Sequence, residues 1–73
     1  MDLRDHYVQF RLEDIYLPDP LVVIYEMHRN DVLRGRVIEM SDCGEREGAF
    51  VVVEVEGSRH RMVVPVDRVE VKD

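Results

Sequence analysis

Three histidines and one cysteine are the side chains of this sequence best suited to metal binding or nucleophilic chemistry: His6, His28, His60 and Cys43. None of them has the close paired spacing, such as Cys-x-x-Cys or His-x-x-x-His, that zinc sites use. Cys43 lies in an acidic loop, and neighbouring carboxylates disfavour the reactive thiolate. We therefore predict no metal site and no catalytic cysteine, and we interpret His60 as a histidine at the rim of the core.

The sixteen Asp and Glu residues are the other candidates for chemistry. They fall in loops or at outward positions of predicted strands, which is typical of a solvated surface. The sequence has no Gly-rich phosphate loop, no Gly-x-Ser-x-Gly motif and no dinucleotide fingerprint. A chain of 73 residues also has little room for a ligand pocket of ordinary size. We predict that the protein is not an enzyme and uses no cofactor.

The clearest structural pattern is centred on Gly57-Ser58. Counting outward from this dipeptide, one side pairs opposite charges: Glu56 with Arg59 and Glu54 with Arg61. The other side is almost entirely apolar: Val55 meets His60, Val53 meets Met62 and Val51 meets Val64. A two-residue loop with Gly first favours a type II′ turn. The pattern predicts a hairpin over residues 49–66, in which a one-residue slip would move every side chain to the other face.

The first half of the chain is ambiguous on both sides of residues 17–20, where two prolines enforce extended backbone. Residues 3–16 fit an alternating strand or a helix with one apolar face, and we favour a short helix. For residues 21–28, Asp19-Pro20 suits a helix start. The run Leu-Val-Val-Ile-Tyr nevertheless prefers strands. We favour a strand there, because it completes a small barrel.

The second half reads more clearly as strands. Residues 33–40 are a predicted strand with Gly35 at a bend. Residues 41–48 are a polar loop that precedes the hairpin, and residues 69–71 are a short edge strand. Five strands with tight turns favour a small closed or nearly closed barrel. We predict a single domain, with residues 1–20 as an extension that packs on a barrel over residues 21–73.

Residues 33–71 resemble the KOW-type and related SH3-like barrels. The resemblance is carried by a Gly-x-Val strand, a valine-rich strand that ends in Gly, and a short last strand: residues 35–39, residues 51–57, residues 64–66 and Val69. It implies a mainly β fold, a small five-stranded SH3-like barrel. The N-terminal extension, with the short helix favoured above, lies outside the residues that carry the resemblance. Modules of this type commonly contact RNA or ribosomal and transcription proteins. They usually carry more lysine than the single Lys72 present here.

Composition restricts the class of protein. The net charge of −6 disfavours a module that binds nucleic acid mainly through phosphates. The longest apolar run, residues 21–25, is far shorter than a bilayer span, so we expect no membrane insertion. The first residues lack the basic start and apolar stretch of a secretion signal. A single cysteine favours a reducing compartment, and we predict a cytoplasmic protein.

Four apolar residues form a patch on the charged side of the predicted hairpin: Phe50, Val52, Val63 and Pro65. We expect another segment or another protein to pack over this patch. The first interpretation is that the N-terminal segment covers it through Leu3, Tyr7, Phe10 and Leu12. The alternative is a docking surface for another protein or for a second copy of the chain, because an exposed patch of this kind is unusual on a small monomer.

These observations predict a non-catalytic binding or accessory module that recognises a protein partner. The residues predicted to contact that partner are aromatic or arginine: Tyr16, Tyr25, Arg34, Arg36 and Phe50. An alternative is an RNA- or ribosome-associated module that uses arginines: Arg34, Arg36, Arg59, Arg61 and Arg68. A third hypothesis is self-association into a homo-oligomer, through the edge strand or the Phe50 patch.

Overall fold

A computed structural model describes residues 2–28, 31–41 and 49–72. It contains one helix and five strands: β1 (Tyr7–Arg11), α1 (Pro20–Met27), β2 (Val32–Met40), β3 (Phe50–Val55), β4 (Arg61–Pro65) and β5 (Glu70–Val71). Short 3-10 turns occur at Leu12–Asp14 and Val66–Arg68. The strands form one antiparallel sheet in the order β4-β3-β2-β1-β5. The prediction of a mainly β fold with five strands is confirmed.

The N-terminal segment contributes a strand rather than the helix we favoured for residues 3–16. In β1, buried Val8 and Phe10 alternate with exposed Tyr7 and Arg11. β1 lies between β2 and β5, so both edges of its backbone have hydrogen-bonding neighbours. The helix preference was therefore wrong. Residues 1–20 are not an extension beside the sheet, because they supply one of its strands.

The strand predicted over residues 21–28 is a helix. Its N-cap is Asp19, whose Oδ1 accepts a hydrogen bond of 2.9 Å from the backbone N–H of Leu21, and Pro20 occupies the first turn. Val23 is fully buried, while Ile24 and Met27 are partly buried against the core. The cap and the burial of this face override the strand preference of the β-branched residues, because propensity is weaker than packing.

The hairpin register is confirmed from Phe50 opposite Pro65 to Glu54 opposite Arg61. The turn is longer than predicted, because β3 ends at Val55 and β4 begins only at Arg61. The backbone N–H of Ser58 donates to the carbonyl of Val55, which places Gly57, with φ +91°, third in a four-residue turn. A positive φ at that position is a feature of type II turns. The predicted type II′ loop was wrong, and the Glu56–Arg59 and Val55–His60 pairs do not belong to the ladder.

The core lies on one side of the sheet and is built from alternate residues of the first four strands, joined by the helix. Its fully buried large side chains are Val8, Val23, Leu33, Val37, Val51, Val53, Met62 and Val64. At the free edge of β4, Leu17 forms an isolated bridge with Val63. The chain that leaves β1 therefore reaches the opposite edge of the sheet. Closure into a barrel remains a prediction.

The one-sided core predicts unequal costs for two neighbouring substitutions in β3. Val53 is fully buried, so Val53→Ala should lower the free energy of unfolding by about 1–3 kcal/mol through lost burial and cavity formation. Val52 is half-buried on the other side and should cost clearly less. Urea denaturation of both variants measures the difference. Equal losses would show that β3 is buried equally on both sides.

Candidate functional site

The candidate site is the outer face of the sheet, which we define as the side opposite the core. Alternation along β3 places Phe50, Val52 and Glu54 on this face, since Val51, Val53 and Val55 are buried. The register then places Pro65, Val63 and Arg61 of β4 on the same face. The outer face is thus apolar at one end of the hairpin and charged at the other.

The apolar end is an open groove, which we call the Phe50 groove. It has a volume of about 300 Å³ and is lined by Tyr16, Leu17, Glu39, Met40, Ser41, Phe50, Val52 and Val63. The rings of Tyr16 and Phe50 lie 5.1 Å apart at an angle of 44°. This tilted geometry is favourable for two aromatic side chains. Tyr16 is still 63% exposed, so it forms one wall of the groove and does not cover it.

The N-terminal segment does reach the apolar patch, but not through the residues that we predicted. Leu3, Phe10 and Leu12 are buried in the core, and Tyr7 is exposed. Tyr16 and Leu17 form the wall instead. Since β1 is required in the sheet, its apolar side chains are already committed to the core, and only the residues after the Leu12–Asp14 turn can contact the hairpin.

Hydrogen bonds donated by backbone N–H groups hold both walls of the Phe50 groove. The N–H of Tyr16 donates to the carbonyl of Val63 over 2.7 Å, and the N–H of Val63 donates to the carbonyl of Leu17 over 2.8 Å. At the other wall, the N–H of Phe50 donates to Ser41 Oγ over 2.7 Å. The groove therefore exists before any ligand binds.

The charged end is a row of directly paired residues across four strands, which we call the charged row. Tyr7 pairs with Arg36, Arg36 with Glu54, and Glu54 with Arg61. All four side chains are exposed. Within the described part of the chain, Arg36, Glu54 and Arg61 form no ion pair with one another or with any other residue. Both arginines thus remain available to a ligand.

Gly35 brings β2 close to β3 beneath the charged row. A Cβ atom on this residue would lie 2.5 Å from the carbonyl oxygen of Glu54 and 2.7 Å from Val53 Cγ1. Real Cβ atoms do not approach backbone oxygen so closely, so the strands can pair here only with glycine. Arg34 and Arg36 flank Gly35 and project to the outer face. Arg34 Nε donates to Gln9 Oε1 over 3.0 Å.

The structure brings four of the five predicted contact residues onto one face. Tyr16 and Phe50 meet in the groove, and Arg34 and Arg36 lie at the charged end. Tyr25 does not join them. It is 80% exposed on α1, near exposed Leu21 and Val22, and it does not line the Phe50 groove.

The five arginines of the RNA hypothesis lie in different parts of the fold. Arg34, Arg36 and Arg61 share the outer face. Arg59 lies in the hairpin turn, and Arg68 ends the Val66–Arg68 turn. Glu54 interrupts the basic residues within the charged row.

Glu26 is a structural residue that sequence reasoning missed. Its side chain is only 16% exposed. One carboxylate oxygen accepts from the hydroxyl of Ser58 and the other from the N–H of Arg59, at 2.5 and 2.9 Å. His60 Nε2 lies 3.8 Å from Glu26 Oε2, and the His60 side chain is 44% exposed in the turn. These contacts join α1 to the hairpin turn.

The same contacts lower the pKa of the Glu26 carboxyl group below its ordinary value. The hydrogen bond from Ser58 is the largest cause, followed by the one from the Arg59 N–H. Both stabilise the charged carboxylate. No sequence signal indicates this site, because Glu26 and Ser58 are 32 residues apart and neither belongs to a motif.

Over residues 2–28, 31–41 and 49–72, no group of three or more His, Cys, Asp or Glu side chains is arranged to hold a metal ion. In the same ranges, no helix has the length and apolarity needed to cross a bilayer. Cys43 and the predicted loop around it lie outside the described residues.

Comparison with known proteins identifies no relative. No family model matches the chain, and neither the curated proteins nor the solved structures contain a significant match.

The lowered pKa of Glu26 predicts a pH-dependent contribution to stability. A folded-state pKa below the unfolded value, ordinarily about 4.3, stabilises the fold above that pH. The contribution is lost as the pH falls further, through the folded-state pKa. Glu26→Gln should therefore lower the melting temperature at pH 7, and the gap from wild type should narrow as the pH drops below about 4.

Glu13→Gln is the control for this prediction, because Glu13 forms an ion pair with Arg11 in which both side chains are exposed. Its melting temperature should stay close to wild type throughout. A Glu26→Gln gap that is constant from pH 7 to pH 3 would contradict the role of the charged carboxylate.

Proposed function

We propose that this chain is a non-catalytic binding module that recognises a protein partner through the outer face of its sheet. The observation that carries the proposal is the Phe50 groove, a preformed apolar depression with two aromatic walls, on the same face as Arg36 and Arg61, which form no ion pair within the described residues. Tyrosine, phenylalanine and arginine are enriched in protein interfaces over the rest of the surface.

The dimensions and chemistry of the groove favour a partner side chain over a metabolite. Its volume of about 300 Å³ is at the lower limit for small-molecule sites, which suits one or two inserted side chains. Among the described lining residues Glu39 is the single carboxylate, and the Ser41 hydroxyl accepts a hydrogen bond from the backbone N–H of Phe50. The lining thus offers no paired nucleophile and base.

The supporting fold is part of the proposal. We infer that the sheet closes into a small SH3-like barrel, with the Leu17–Val63 bridge joining the segment after β1 to the edge of β4. We also assign the module to the cytoplasm, on the basis of its single cysteine.

A displayed library of random peptides tests the proposed surface. Peptides selected on the wild-type protein should lose about tenfold or more in affinity for Phe50→Ala, because interface aromatic residues commonly contribute 2 kcal/mol or more. Tyr16→Ala should weaken them as well. Circular dichroism and the melting temperature show whether each variant is folded.

Tyr25→Ala is the matched control, since it removes an exposed tyrosine outside the groove. It should leave the affinity within about twofold. Selected peptides that respond to Tyr25→Ala and not to Phe50→Ala would move the interface to α1 and reject the proposed one. Light scattering over a range of concentrations checks for self-association, the third hypothesis.

The RNA-associated alternative is supported by Arg34, Arg36 and Arg61 on the outer face. The salt dependence of binding separates it from protein recognition. For single-stranded RNA, log affinity should fall against log salt concentration with a slope of about 0.7 per phosphate contact. We expect no measurable binding of a mixed-sequence RNA at 150 mM salt, as measured by fluorescence anisotropy, because Glu54 lies between two of the arginines. Submicromolar binding with a slope of about 2 or more would favour the RNA module.

A further inference from the structure

We infer that the partner segment presents an apolar side chain and a carboxylate about 7 Å apart, with the apolar group in the Phe50 groove and the carboxylate on Arg61. This inference rests on the proposed function and specifies the chemistry of the partner. The observations behind it are the spacing along β4 and the charges of the outer face.

The spacing follows from strand geometry. Val63 lines the Phe50 groove, and Arg61 precedes it by two residues on the same face of β4. Residues two apart in an antiparallel strand are separated by about 6.8 Å. An extended partner segment has the same repeat, so an acidic residue two positions from an apolar anchor would reach Arg61.

The charges favour a single carboxylate. Arg61 has no ion-pair partner in the described part of the chain, and a guanidinium group remains charged and can bind a carboxylate through two hydrogen bonds. Glu54 is the cross-strand partner of Arg61, and Glu39 lines the Phe50 groove. These two carboxylates would repel a polyanion more strongly than a single carboxylate, so one carboxylate on Arg61 is favoured.

A pair of small probes tests this chemistry without knowledge of the partner. 4-Phenylbutyrate carries a phenyl ring and a carboxylate separated by three methylene groups, and 4-phenylbutyramide is its uncharged counterpart. Each is titrated into the 15N-labelled protein at low salt, and the amide resonances of Phe50, Val52 and Val63 are followed. Both should shift these resonances, and the acid should bind about 3- to 10-fold more tightly. The difference should shrink in 0.5 M NaCl, because salt screens exposed charges.

Two variants test whether Arg61 is the arginine that binds the carboxylate. Arg61→Gln should bring the acid and the amide to equal affinity, while Arg68→Gln, which removes an exposed arginine in the Val66–Arg68 turn, should preserve the preference. Peptides selected on the wild-type protein should be enriched in Asp or Glu near an apolar residue. Selection on Arg61→Gln should not give this enrichment.

The outcomes separate the inference from the proposed function. Equal binding of the two probes to the wild-type groove, or an acid preference that survives Arg61→Gln, would overturn the inference and leave the groove as a binding site. If neither probe shifts the groove resonances and no selected peptide depends on Phe50, the proposed function fails as well.

Discussion

The alternation of side chains along β3 and β4 is the constraint on which the other features of this molecule depend. Val51 and Val53 are fully buried, as are their partners Val64 and Met62. A one-residue slip would exchange this apolar set for Phe50, Val52, Glu54 and their partners, and would bring charge into the core. The burial of one face therefore determines the register. It also determines which residues remain on the outer face.

This dependence explains why the hairpin could be predicted from the sequence while the first half of the chain could not. The hairpin pattern is local, and both of its strands carry the same period of two. For residues 7–11 and 20–27, the sequence allows helix and strand alike. The choice is made by distant partners: β1 is enclosed by β2 and β5, and Val23 completes a core made by the sheet.

The hairpin turn is a second case in which a contact with a distant residue, and not the local sequence, accounts for the structure. Gly57-Ser58 is a suitable two-residue loop when the hairpin is considered alone. In the folded chain, Ser58 and the backbone of Arg59 bind Glu26 of α1. Glu26 is partly buried, and the longer turn provides two donors to its carboxylate. Local turn chemistry was overridden by the need to satisfy a side chain 32 residues earlier in the sequence.

Most residues of the candidate site could be predicted from the sequence, but not how the fold brings them together. Tyr16 and Phe50 were predicted as partner-contact residues without any indication that they are neighbours, and they meet where Leu17 bridges to Val63 at the edge of β4. That segment is also fixed from both sides, by buried Ile15 before it and by the Asp19 cap after it. A wall held in this way loses little conformational entropy when a ligand binds, and preorganisation of this kind raises affinity without further contacts. The bridge that brings the chain to the far edge of the sheet is thus the same contact that forms one wall of the groove.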